Sequence, residues 1–163
     1  MIKLKKNTLK ILLIMTAHVS TFEIIANPSF YVNDTEIVGI SSEDVDIYLG
    51  VPYAEPPIGS LRWEVTQPKI FETNRVVADK FAPACMQGPR IVIWHKGVAA
   101  GFGGDPNYIK TPEISEDCLY LNMWVPNELD NKEKIPVLIY IHGGSNRAGW
   151  SFEPNYIGKN LSR

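Results

Sequence analysis

The run Glu116-Asp117-Cys118-Leu119-Tyr120-Leu121-Asn122, with Ile141-His142-Gly143-Gly144 further along, constrains this chain more than any other part. An acidic turn carries a cysteine and leads into an apolar run, Leu119 to Val125, that Pro126 stops. A charged connection, Asn127 to Lys134, precedes Ile135-Pro136-Val137-Leu138-Ile139-Tyr140-Ile141. That second run is apolar at nearly every position, which suits a strand covered on both faces. Glycines at the end of a buried strand let the backbone bend sharply and bring bare N–H groups close to a ligand. Such N–H groups are what an oxyanion hole needs.

The remainder reads as β-rich. Phe30-Tyr31-Val32, a turn at Asn33-Asp34, and Thr35 to Ile40 predict strand, turn, strand. Val45 to Leu49 alternates at first and predicts a third strand, the three forming a small antiparallel meander. Gly50 to Gly59 holds three prolines and two glycines, so it is a stiff loop leading to Leu61-Arg62-Trp63. Residues 64–84 look irregular, with short extended pieces such as Arg75-Val76-Val77. Residues 86–115, rich in Gly and Pro, predict a long surface loop, with His95 as a surface polar group.

At the N-terminus Lys3, Lys5, Lys6 and Lys10 precede the apolar run Ile11 to Met15. A basic region before a short apolar one predicts a signal peptide over residues 1–26, and a secreted or periplasmic protein. An amphipathic segment that stays attached is the alternative. The run is too short for a stable membrane anchor. Without residues 1–26 the chain has 12 basic and 17 acidic residues, a formal charge of −5. An acidic chain with no basic cluster argues against nucleic acid and against anionic membrane as partners. Cys85 and Cys118 are its two cysteines. In an exported chain a pair suggests one disulfide, two unpaired buried thiols being the alternative.

Four patches, in order along the chain, resemble the type-B carboxylesterase family, which includes the cholinesterases. They are Gly50 to Gly59 with Leu61-Arg62-Trp63, the lone Cys85, Ser115 to Asn122, and Val137 to Gly144. The resemblance implies fold class α/β: the N-terminal part of an α/β-hydrolase fold over residues 27–163, a small antiparallel meander plus the first strands of the main sheet. It implies a Cys85–Cys118 disulfide framing a loop beside the active-site entrance, and a buried structural ion pair, Arg62–Glu116. It implies an oxyanion hole at Gly143, Gly144 and Ser145, with Gly144 and Ser145 as the donors. Ser145 stands where a third glycine is common, and Asn146 where an aromatic residue is. An ordinary glycine-rich turn is the plainer reading of that segment. The reaction implied is hydrolysis of small-molecule carboxylic esters through an acyl-serine, without a cofactor.

The residues that would complete that chemistry are not in this stretch. Ser145 lacks the strand–turn–helix setting of a nucleophile, because Ala148 to Pro154 is a poor helix. Serine, acid and histidine follow the oxyanion strand in these hydrolases, so the resemblance puts all three beyond Arg163 and makes the chain inactive alone. Two cysteines and three histidines lack zinc spacing, so no metal site is expected. Gly101-Phe102-Gly103-Gly104 has no Lys-Ser/Thr partner for a phosphate loop. A non-catalytic cholinesterase-like binding or adhesion protein, or a gene remnant, is the alternative to an esterase.

Overall fold

A computed structural model describes residues 27–127 and 134–162. The expected signal peptide and residues 128–133 of the charged connection lie outside the described residues.

Strand β1 (Ser29–Val32) and β2 (Thr35–Val38) form an antiparallel hairpin. Asn33 makes the turn at φ 52°, a left-handed angle that Asn tolerates better than most residues. The other edge of β2 takes β5 (Arg75–Val77) in parallel. With both edges occupied, β2 has none left for a meander. The chain passes Gly39 and continues as β3 (Ile40–Ser42), which pairs antiparallel with β4 (Val45–Pro52). Strand β4 in turn pairs antiparallel with β8 (Tyr120–Pro126). The three strands expected of the meander are present, but they are divided between two three-stranded sheets rather than joined in one.

Burial along β4 falls on Val45, Tyr48 and Val51, a spacing of three where a regular strand would give two. Val45 and Tyr48 lie in unbroken register and so on opposite faces, while the spacing from Tyr48 to Val51 comes from a break in register, opposite Met123 and Leu121. Gly50 sits in it at φ +68°, and its N–H donates to Asn122 Oδ1 at 2.9 Å. The bulge turns Val51 back toward the interior. Ile37, Tyr48, Val51 and Ala78 form the main core, with Phe30, Met123 and Val125 packed against them. Ile37 is fully buried, and truncating such a side chain to Ala costs about 2–5 kcal/mol.

Residues 86–115 are not one long loop. Short parallel strands β6 (Ala84–Cys85) and β7 (Ile114–Ser115) close its base, and helix α1 (Arg90–Gly101) lies within it. Val92 on α1 packs with Ala84 and Trp150, flanked by Ile91, Ile109 and Phe152. Tertiary burial of that face outweighs the low helix propensity of Gly97 and the β-branched residues.

The strand expected at Ile135–Ile141 is absent. That segment makes no described strand pairing, and Val137 to Ile141 are 64–84% exposed. An all-apolar strand is stable only with neighbours on both edges and both faces, and no described residue supplies them.

Candidate oxyanion site

The glycine loop follows the exposed apolar segment. Gly144 has φ +127°, Ser145 φ 57° and Asn146 φ 54°, so three successive residues sit at positive φ. Ser145 bears about 1–3 kcal/mol of backbone strain there, a cost found mostly where a loop's shape serves a site, while Asn146, like Asn33, tolerates the angle better. The Gly144 carbonyl turns into the loop and accepts from Arg147 N at 3.1 Å and Ala148 N at 3.3 Å. In a trans peptide the next N–H points the opposite way, so Ser145 N–H faces out of the loop. No described residue accepts from the N–H of Gly144 or Ser145. A Cβ on Gly144 would collide with the Ala148 carbonyl, so this position requires glycine for space as well as for angle.

Beside the loop lies an open cleft of about 390 Å³, lined by Gly143, Gly144 and Ser145 with Arg90, Trp94 and Tyr156 among others. The hydrogen bond to Tyr140, then burial, then the nearby Glu153 charge push the Tyr156 phenol up to about 12. It is therefore neutral at ordinary pH. His142 turns its Nδ1 to the Gly143 carbonyl at 2.9 Å, and its ring is exposed. Among the described residues no serine hydroxyl is hydrogen-bonded to a histidine.

Cys85 and Cys118 are joined in a disulfide with Cα atoms 5.0 Å apart, across the base of the segment that carries α1. Arg62 Nη2 meets Glu116 Oε1 at 2.8 Å, but the side chains are 53% and 41% exposed. The expectation of a buried pair is thus corrected: both groups are exposed, so water screens them and their contribution is small.

His95 is the larger correction. It is buried, not surface polar, and its Nε2 lies 2.7 Å from Glu153 Oε2, the carboxylate being buried too. The other oxygen of Glu153 accepts from Trp150 N at 3.2 Å. Gln87 also escaped the sequence reading: its carboxamide brackets Gly149, accepting from Gly149 N at 2.7 Å and donating to Gly149 O at 2.9 Å. Asn122 Nδ2 donates to Ser151 Oγ at 2.9 Å. Ile91, Val92 and His95 at helical spacing were the available signal for the buried face of α1.

The chain is the N-terminal portion of an α/β-hydrolase fold, as its likeness to solved esterases shows. A model described as the carboxylesterase family matches residues 27–163, and the chain belongs to that family. Phenmedipham hydrolase of Pseudarthrobacter oxydans is 34% identical over 139 residues, covering 85% of this chain and 26% of that protein. Cholinesterase of Mus musculus is 36% identical over 119 residues, covering 73% of this chain and 18% of the relative. A solved PNB esterase superposes with a TM-score of 0.70 at 27% identity, over 84% of this chain and 25% of the other. The chain thus spans about a quarter or less of the length of these relatives.

Proposed function

We propose that this chain supplies the oxyanion-binding loop of a hydrolase for small-molecule carboxylic esters that works through an acyl-serine. The observation that carries the reading is the strained turn at Gly144-Ser145-Asn146, which holds N–H groups clear of internal partners beside an open cleft. Donors aimed at the oxygen of a tetrahedral intermediate act most strongly when fixed in advance, since they need not reorganise as charge develops. The backbone strain of the turn serves that fixing. On this reading nucleophile, base and orienting acid come from residues other than those described, and no ester turnover is expected from residues 1–163 alone. Export fits this reading, because a disulfide persists in oxidising compartments. No described helix is long and apolar enough to cross a membrane.

The test is to read and express the gene through and past the Arg163 codon, then assay p-nitrophenyl ester hydrolysis and fluorophosphonate labelling. Turnover and labelling by the longer product, and neither by residues 1–163, support the proposal. A stop at that codon, or a longer product that folds without labelling, contradicts it and leaves binding as the activity to test.

A further inference from the structure

The segment just after the glycine loop is held in an unusual way. Gly149 to Glu153 makes no strand or helix, yet three separate elements grip it. Gln87 brackets Gly149 through both backbone groups, and Cys85, two residues away, anchors Gln87 to the disulfide. Asn122 of β8 reaches Ser151. His95 of α1 meets Glu153 in the interior, where Trp150 is 4% exposed. Gly149 in turn lies against the loop: a Cβ there would collide with the Gly143 carbonyl, stand 2.8 Å from His142 Nδ1, and stand 3.1 Å from Glu153 Oε1. Glycine loop, Gly149 and the Glu153 carboxylate are thus in one contact. A buried hydrogen-bonded pair costs too much to break for it to be idle, because either partner alone is left desolvated.

We propose that His95, Glu153 and Gln87 are positioning residues: the helix inside the disulfide-closed segment fixes the shape of the oxyanion loop through Gly149. This rests on the esterase reading above and adds to it which residues hold the loop. None of the three need touch substrate. Gln87 sets the height of Gly149, Glu153 caps Trp150 N, and His95 fixes the Glu153 carboxylate. Loss of any of them frees Gly149 to move and lets the Gly144–Ser145 N–H groups lose their aim.

The experiment compares the gene's full product with His95→Gln, Gln87→Ala, Glu153→Ala and Glu153→Gln, and with Ile93→Ala on the outer face of α1 as control. Three quantities are read: amide hydrogen exchange of peptides covering 142–149, and kcat and KM on a p-nitrophenyl ester. His95→Gln, Gln87→Ala and Glu153→Ala should speed exchange across 142–149 at least tenfold and lower kcat at least tenfold, with KM within about twofold. Glu153→Gln keeps one acceptor oxygen and should recover most of both. Ile93→Ala should change neither. Exchange that rises over the whole chain while 142–149 shows no excess, or kcat unchanged per folded molecule, would overturn the proposal. Should the wild-type product show no turnover, the esterase reading fails, and the exchange of 142–149 still decides whether these residues hold the loop. If Glu153→Ala does not fold, Gln87→Ala, which leaves the buried pair intact, decides.

Discussion

Gly144 meets two constraints at once, an angle that side chains resist and a carbonyl, that of Ala148, where a Cβ would go. Gly144→Ala in the gene's full product should therefore cost as much as losing one oxyanion donor, about 3–4 kcal/mol or 10²–10³ in kcat, with a smaller change in KM. Steady-state kinetics on a p-nitrophenyl ester would show it. At Glu153 the expectation concerns stability. Glu153→Ala leaves His95 and Trp150 N without their acceptor and should cost about 1–3 kcal/mol by denaturant unfolding, against a smaller loss for Glu153→Gln. The two residues also differ in how far sequence alone could reveal them. A glycine pair after an apolar run announces a sharp turn by its own chemistry. His95 gives no such notice, because its partner lies 58 residues away and the burial of both comes from packing around Trp150.

At the scale of elements, the disulfide-closed segment is the part whose interior was least legible. Gly97, Gly101 and a lack of any polar face hide α1, and it forms because Val92 and His95 find a buried surface under Trp150. Strands β1 to β4 and β8, by contrast, were legible from β-branched and aromatic runs and the Asn33-Asp34 turn. Their division into two sheets was not, since it depends on β5 claiming the free edge of β2. Cross-linking a loop of 33 residues narrows the unfolded ensemble by about 3–4 kcal/mol. Cys85→Ser with Cys118→Ser should lower the unfolding midpoint accordingly and speed amide exchange in α1 before it does so in β4. A pH effect belongs to β8. Burial, then the hydrogen bond to Asp117, then its charge push the Tyr120 phenol from 10.0 up to about 12. The folded state holds this proton more tightly, so the stability it contributes is complete below pH 10 and is lost as pH rises toward 12. Tyr120→Phe should flatten that alkaline decline in a series of urea titrations, and an unaltered slope would remove Tyr120 from the account.

For the molecule as a whole, the dominant feature is the bare run from Val137 to Ile141, where Leu138 is 75% and Ile141 is 84% exposed. The sequence predicts a strand there because its residues suit one, but a strand needs partners, and none is among the described residues. Apolar extended backbone of this kind recruits other chains. Residues 27–163 on their own should bind a hydrophobic dye and associate in concentrated solution. Ile139→Lys should raise the soluble fraction; a monodisperse wild-type monomer with cooperative thermal unfolding would contradict this. The central claim is that the glycine loop stabilises an oxyanion, and the most direct measurement is the affinity of a trifluoromethyl ketone for the gene's full product and its Gly144→Ala variant. The account predicts weakening by at least a hundredfold for the ketone with little change for the ester in its ground state. Equal affinity in the two proteins, or no binding by either, would contradict it.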